Sequence, residues 1–297
     1  MTNTHTKEQK EGVISTITAY LLWGILPLYW NLMSNVSAVE ILANRIIWSL
    51  VFTMFFIMIQ SKWSEIKKSF NSLKEIQFLI YRSIFIGCNW LTFVWAVNNN
   101  RVLECSLGYY INPLTTVLLG YIFLKEKLNR FQIISLFLTV IAVSLLVLNY
   151  GKLPWVSIII TVTFAFYSLF KKTTTIKPLP GLAAEAAVLT PPALIYLAII
   201  SFNSGQFYFE KISITDNILL LCSGIATAIP LLLFAYGIKK IRMTTIGLLQ
   251  YIAPSCTFLL GIFIFKENYT GLTIVAFLLI WVSIVIFSWK AIFKKAV

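Results

Sequence analysis

The chain has 297 residues, of which 59% are apolar and only 12% are charged, and its mean hydropathy is +0.84. These values exclude an ordinary soluble domain, in which about a quarter of the residues carry a charge. The net charge of +13 could indicate a nucleic-acid partner. The loops between apolar segments are too short to build a basic domain, so the sequence argues against that partner.

Ten apolar segments are each close to the length that crosses a bilayer, which is about 20 helical residues. The shortest of them, 154 to 170, corresponds to the first under the internal repeat described next. The fold class predicted is therefore all-α, a polytopic membrane protein. The ten predicted spans are 13 to 33, 40 to 60, 76 to 98, 102 to 124, 131 to 149, 154 to 170, 182 to 202, 217 to 238, 243 to 265 and 270 to 289.

An internal repeat divides the chain into halves. The segment LGYYINPLTTVLLGYIFLKEK, at 107–127, recurs at 248–268 as LLQYIAPSCTFLLGIFIFKEN, with ten of twenty-one positions identical and no gap. We therefore predict five-helix repeats at 13–150 and 151–290, between an N-terminal tail, 1–12, and a C-terminal tail, 291–297. An odd number of spans per half predicts two inverted repeats, an arrangement that many transporters use.

The basic residues sort by loop parity. With an inside N-terminus, nineteen Lys and Arg residues fall on the cytoplasmic side and four on the other. This asymmetry predicts a multi-pass protein with both termini in the cytoplasm. The first apolar run is too long for a signal peptide and has no small-residue cleavage site.

Metal, disulfide and histidine chemistry find little support. The four cysteines fall inside predicted spans without CxxC spacing, and the only histidine, His5, lies in a polar tail expected to be disordered. We predict no metal site and no cofactor. The sequence also has no GxxxxGK[ST] motif, so ATP would have to be used by a separate subunit.

Two prolines occupy equivalent positions. Pro113 and Pro254 each lie twelfth in a predicted span, near the bilayer midplane. A proline removes one helical hydrogen bond and frees the carbonyl four residues earlier, here those of Tyr109 and Gln250. We predict hinges beside a polar cavity, while a packing kink remains the alternative.

Charges inside predicted spans are candidates for gating or coupling. Arg45 must have a partner or a water-filled vestibule, and Glu104 is the expected partner, with Arg45 acting as an anion anchor or gate. Arg82 and Glu185 form a second expected pair near the cytoplasmic end, with Glu185 as a proton or cation site. Snorkelling to the interface is the alternative for Arg45, Arg82 and Glu185.

Aromatic and amide side chains on the inner spans suit an organic solute, through stacking and a few directed hydrogen bonds. An interfacial belt is the alternative interpretation for such residues. The predicted substrate cavity consists of Trp23, Arg45, Trp90, Tyr109, Tyr110, Asn112, Tyr236, Gln250 and Tyr251.

Four segments together resemble RarD-type members of the EamA group in the drug/metabolite transporter superfamily. They are GVISTITAYLLWGILPLYW, EILANRIIWS, LGYYINPL and GLAAEAAVLTPPALIYL, and the likeness runs from about residue 11 to 290. The resemblance implies ten helices in two inverted repeats around a central cavity, and secondary transport in a bacterial plasma membrane. Carried over by motif position, it indicates Trp23, Gly24, Glu40, Arg45, Tyr110, Asn112, Pro113 and Glu185, and we group Glu40, Arg82, Glu104 and Glu185 as gating or coupling residues.

The predicted function is secondary transport, with export as the expected direction, of a small organic metabolite or drug-like compound by alternating access. The expected partners are that small molecule and the lipid bilayer, with a proton as candidate coupling ion and a second copy as candidate subunit. A membrane receptor or scaffold without transport is the first alternative, and an intramembrane enzyme is the second. The latter would need catalytic groups clustered within spans, where only isolated charges are found.

Overall fold

The computed structural model describes residues 2–99, 101–150, 155–210, 212–264, 266 and 271–293, and within them the regular structure is helical. The predicted boundary between the halves, at 150/151, adjoins a segment outside these ranges, as does the C-terminal tail from 294. The α-helices are α1 Thr2–Asn31, α2 Ala38–Ile59, α3 Trp63–Lys67, α4 Leu73–Asn98, α5 Val102–Leu124, α6 Arg130–Tyr150, α7 Trp155–Thr173, α8 Pro178–Ser204, α9 Ile214–Lys240, α10 Met243–Leu249, α11 Ile252–Phe263 and α12 Gly271–Phe293.

In the described ranges, nine segments are long and apolar enough to cross a membrane, with α10 and α11 together counting as one. A tenth apolar segment, Gly271–Phe287, belongs to α12. The protein is therefore an all-α polytopic membrane protein, as the sequence predicted. Helices suit the bilayer core because each helix satisfies its own backbone hydrogen bonds where lipid offers no partners.

The expectation of a disordered N-terminal tail is wrong for the described residues, because α1 begins at Thr2. The first part of α1 is held against the end of α9. The Glu11 carboxylate lies 2.6 Å from the Lys240 amine and accepts a hydrogen bond of 3.0 Å from the Tyr236 hydroxyl. A Cβ added to Gly12 would lie 2.7 Å from the Cβ of Lys240, so the two helices touch where glycine allows it.

The two equivalent prolines have different local structures. Pro113 lies inside the continuous helix α5, whereas the helix that contains Pro254 is interrupted between α10 and α11, at Gln250 and Tyr251. At the interruption the Tyr251 amide donates to the carbonyl of Leu248, three residues earlier. The interruption lies where Pro254 cannot donate to the carbonyl of Gln250.

Corresponding positions of the two halves share a rare backbone conformation. Lys125, which ends α5, has φ of 51°, and Lys266, its counterpart in the repeat, has φ of 53°. Left-handed backbone is uncommon for residues other than glycine. Its recurrence at the predicted register extends the repeat from sequence to backbone geometry.

Helix packing is also matched between the halves. Under the register of the repeat, α1, α2, α4, α5 and α6 correspond to α7, α8, α9, α10–α11 and α12. The contact of α1 with α9 matches that of α7 with α4, and the contact of α5 with α7 matches that of α11 with α1. Three other large contacts, α2 with α8, α5 with α10 and α6 with α12, join corresponding helices. The contact of α2 with α9 is more extensive than its counterpart, α8 with α4. Several of the large helix contacts therefore have a counterpart under the register of the repeat.

Helices α6 and α12 pack together at the side of the bundle. The Thr139 hydroxyl donates a hydrogen bond of 3.0 Å to that of Ser283 in their buried interface. Their outer faces carry exposed aliphatic and aromatic side chains, including Phe137 and Leu278. Such exposed apolar faces suit contact with lipid.

Candidate functional site: a cavity between the halves

A cavity of about 380 Å³ lies between the two halves. Its wall comes from α1, α2, α4 and α5 of the first half and from α7, α9 and α11 of the second. The volume is within the range of pockets that hold small organic molecules. The lining residues are Tyr20, Trp23, Leu26, Pro27, Trp30, Arg45, Ile86, Asn89, Trp90, Phe93, Cys105, Ser106, Tyr109, Tyr110, Asn112, Phe164, Leu231, Gln250, Ala253, Pro254 and Thr257.

Most of the residues predicted to line a cavity lie together in this wall, although they come from five separate segments of the chain. Pro254, predicted as a hinge, lies there too, whereas Pro113 is buried with its carbonyl against α10, near Gly247. The predicted residues in the wall are Trp23, Arg45, Trp90, Tyr109, Tyr110, Asn112 and Gln250.

Two predicted lining residues face elsewhere. Tyr236 lies near the C-terminal end of α9, where its hydroxyl donates a hydrogen bond to the Glu11 carboxylate and accepts one from the Lys240 amine. Tyr251 is 1% exposed, and its hydroxyl donates 3.0 Å to the backbone carbonyl of Tyr110. Tyr251 therefore supports the wall from behind, because the interruption before α11 lets its ring enter the core formed with α12.

Arg45 lies in the wall between two tryptophans. Its guanidinium carbon is 5.2 Å from the ring centre of Trp30 and 4.6 Å from that of Trp90, and its Nε donates 3.1 Å to the Thr227 hydroxyl. Each cation–π contact contributes about 0.5 to 2 kcal/mol, depending on desolvation. The rings and the hydroxyl hold the cation at the edge of the cavity.

Glu104 was the expected partner of Arg45, but the structure gives it other partners. Its carboxylate lies 3.2 Å from the Arg101 guanidinium and accepts a hydrogen bond of 3.3 Å from the backbone amide of Val156. Glu104 is in the first turn of α5, so it reaches the adjacent start of α7 instead of α2. The prediction of an Arg45–Glu104 pair is therefore corrected.

Amide side chains supply part of the polar surface of the wall. The Asn89 amide donates a hydrogen bond of 2.8 Å to the carbonyl of Ile160. The Gln250 side-chain carbonyl accepts one of 3.3 Å from the Thr116 hydroxyl. Asn112 is 1% exposed, and its Oδ1 has no hydrogen-bond partner among the described residues. A buried acceptor of this kind costs about 1 to 3 kcal/mol unless a donor reaches it.

A buried cluster of charges lies beyond one end of the cavity. The Glu185 carboxylate is 2.9 Å from the Arg82 Nε and 2.8 Å from the Lys171 amine, and it accepts 3.2 Å from the Tyr167 hydroxyl. All four side chains are at most 3% exposed. The predicted Arg82–Glu185 pair is present, and Nη1 and Nη2 of Arg82 are buried without a hydrogen-bond partner among the described residues.

The charge cluster adjoins the cavity through a void of about 10 Å³, which has room for about one water molecule. Ile86, Trp90 and Leu231 line both spaces, while Tyr167 and Glu185 line the void alone. Trp90, which contacts the Arg45 guanidinium, therefore also lines the void beside Glu185.

The last predicted gating residue, Glu40, lies apart from the charge cluster. Its carboxylate accepts 3.1 Å from the Tyr208 hydroxyl, which also lies 3.4 Å from the Asn44 amide. This contact ties the start of α2 to the loop between α8 and α9.

Sequence reasoning missed Lys171, Tyr167 and Thr227. Lys171 was assigned to a loop because the sixth span was ended at Phe170, but α7 continues to Thr173. The four-residue spacing of Tyr167 and Lys171 could have indicated a shared helix face. Thr227 gave no local signal, since its partner Arg45 lies in the other half of the chain.

Comparison with known proteins agrees with this architecture. Residues 10–148 match the EamA-like transporter family. The chain is 39% identical to the uncharacterized transporter YojE of Bacillus subtilis, with 97% of each chain covered. It is 37% identical to protein RarD of Escherichia coli, again with 97% of each covered. A crystal structure of a protein with 17% sequence identity superposes with a TM-score of 0.71 over 94% of this chain and 98% of the other, which is a likeness of fold. The chain therefore belongs to the EamA-like transporter family, as a RarD-type member of the drug/metabolite transporter superfamily.

Proposed function

We propose that this membrane transporter is a secondary active exporter of a small organic metabolite or drug-like compound, working by alternating access in a bacterial plasma membrane with both termini in the cytoplasm. The observation that carries the proposal is the cavity between the halves, with a buried charge cluster at one end. Related transporters supply the class of activity.

Inverted repeats are part of the proposal. The matched packing pairs and the matched left-handed lysines support two halves related by a pseudo-twofold axis. Such an axis lies in the membrane plane when each half crosses an odd number of times. Rocking one half against the other would then close one end of the cavity and open the other end to the opposite side of the membrane.

The charge cluster is proposed as the cytoplasmic gate. With the termini inside, Arg82 and Lys171 lie toward the cytoplasmic ends of α4 and α7, and Glu185 lies near the cytoplasmic start of α8. The cavity residues Phe93 and Thr257 lie toward the opposite ends of their helices. This conformation is therefore proposed to be closed inside, by contacts that join one helix of the first half to two of the second.

Opening the gate requires the charges to separate. A buried pair that loses one partner is destabilised by about 3 to 5 kcal/mol, because the remaining charge stays desolvated. Water that enters from the cytoplasm would hydrate all three charges and offset this cost. Hydration of the open state therefore lowers the free-energy cost of opening, which a switch between conformations needs.

A receptor or scaffold is the competing function, and a flux measurement separates the two. A metabolite and antibiotic library is first screened for compounds that raise the melting temperature of the purified protein, because a ligand stabilises the state it binds. The strongest compound is then loaded into proteoliposomes, and its release is followed with and without a proton gradient. Protein-dependent release supports transport. Stabilisation without release under either condition would refute it in favour of a receptor.

A further inference from the structure

The cavity wall carries one kind of formal charge. Among the described residues that line it, Arg45 is cationic and the others are neutral. An uncompensated guanidinium within a membrane costs at least about 3 kcal/mol on insertion scales. The cavity therefore provides a cation that a bound molecule could neutralise.

A second arginine gives a useful contrast. Arg101 also lies between two tryptophans, 5.7 Å from the ring centre of Trp95 and 5.4 Å from that of Trp155. Arg101 pairs with the Glu104 carboxylate at 3.2 Å. Arg45 has the same aromatic setting, but in the described part of the chain no carboxylate lies within ion-pair distance of it. Arg45 is therefore a cation with aromatic and hydroxyl partners but no carboxylate partner in the described ranges.

The rest of the wall suits an apolar or aromatic body. Trp23 and Phe164 meet edge to face with ring centres 6.0 Å apart, and both residues line the cavity. Aromatic walls gain from stacking and edge contacts with a planar ligand.

We infer that the transported substrate is an organic anion, with a carboxylate at Arg45 and an aromatic or apolar body along the Trp23 side of the cavity. This inference rests on the proposed transport function and names the substrate class of the same site. Arg45 is its specificity-determining residue, and Trp30, Trp90 and Thr227 position the guanidinium.

The test uses three probes of one shape and different charge: 3-phenylpropionate, 3-phenylpropanamide and 3-phenylpropylammonium. Binding to the purified full-length protein is measured as the rise in melting temperature over a range up to millimolar concentration. We expect the carboxylate to stabilise the protein at a concentration at least tenfold lower than the amide, and the ammonium to have no effect. Equal effects of all three compounds, or none from the carboxylate, would overturn the inference.

Variants locate the effect. Arg45→Gln should weaken 3-phenylpropionate binding by about ten- to a hundredfold, the usual size of a lost charge-assisted hydrogen bond. Arg45→Lys keeps the charge and should retain part of the affinity, which separates charge from folding. Arg101→Gln is the matched control, because it removes an arginine between tryptophans outside the cavity, and its affinity should stay within twofold of wild type. An unchanged affinity in Arg45→Gln would refute the assignment.

Failure of the inference and failure of transport give different results. Charge-selective binding without flux of 3-phenylpropionate or of any library compound would remove the transport function and leave the anion site. Flux of a library compound that Arg45→Gln leaves unchanged would remove the anion site and leave transport.

Discussion

Replacing Glu185 with glutamine is the sharpest perturbation of the proposed gate. The amide is nearly the same size as the carboxylate, so packing is kept while the negative charge is lost. Arg82 and Lys171 then remain buried, at no more than 3% exposure, without their shared counter-ion. The Tyr167 hydroxyl also loses a charged acceptor.

The expected magnitude follows from the burial of the pair. Leaving a buried charge uncompensated costs about 3 to 5 kcal/mol, and here two cations share one carboxylate. Hydration in the open state relieves that cost, so the closed state alone bears most of it. Since 1.4 kcal/mol corresponds to a factor of about ten, the ratio of closed to open molecules should fall by about a hundredfold or more.

Thiol labelling measures this shift. Leu182 is 4% exposed and lines the void beside Glu185, so a cysteine placed there reports opening of the cytoplasmic end. In a background lacking the native cysteines, an impermeant maleimide should label Leu182→Cys in inside-out vesicles at least ten times faster when Glu185→Gln is present. A cysteine at Thr257, in the outer part of the cavity, should become less reactive from the other side.

The control is an ion pair at the surface. Glu65→Gln breaks the pair of Glu65 with Lys177, whose side chain is 66% exposed, and exposed pairs contribute at most about 1 kcal/mol. Labelling of Leu182→Cys should stay at its original rate. If Glu185→Gln, purified as a stable monodisperse protein, also leaves the rate unchanged, the cluster is not the gate.

Three further predictions concern stability, measured as the melting temperature in one detergent. Gly224→Ala should lower the melting temperature strongly, because the new Cβ would lie 2.3 Å from the backbone carbonyl carbon of Trp48. An unchanged melting temperature would mean that α2 and α9 can separate freely. Lys125→Gly should raise stability by about 1 kcal/mol, since φ of 51° strains lysine but not glycine, and a decrease would show that the lysine side chain matters more than the backbone. Glu126→Ala should destabilise the protein by about 1 to 2 kcal/mol. The Glu126 carboxylate accepts hydrogen bonds of 2.8 and 2.9 Å from the backbone amides of Met243 and Thr244, and it thereby caps α10. Equal stability would mean that other groups replace this cap.

The sequence was a good guide where the physics is local or periodic. Apolar length predicted the spans, and the repeat predicted which helices would correspond. The Arg82–Glu185 pair was also accessible, because both residues lie near span ends of the same predicted side. Each of these inferences needs only helix rise and bilayer thickness.

Side-chain direction was less predictable. Tyr110 and Tyr251 are identical positions of the repeat, yet Tyr110 lines the cavity and Tyr251 lies behind it. The helix is interrupted at Tyr251, between α10 and α11, whereas α5 is continuous around Tyr110. Arg45 likewise found its partners on three other helices, through contacts that no local pattern encodes.

The repeat also explains why the two ends of the cavity should differ. In the register that places Leu107 on Leu248, the charged positions Arg82, Lys171 and Glu185 correspond to Ser223, Trp30 and Asn44, which are neutral.

If the halves are inverted as proposed, those neutral residues belong to the outer gate. Closing the inner end then forms buried ion pairs, whereas the three corresponding outer residues carry no charge with which to form them. A symmetric scaffold with this asymmetric charge favours the conformation that is closed inside, which is the one proposed for this structure. The proposed anion site has the same kind of asymmetry, because the residue that corresponds to Arg45 in the second half is the neutral Ala186. The proposed substrate class and the proposed preference for the inward-closed conformation therefore both depend on charged residues whose counterparts in the repeat are neutral.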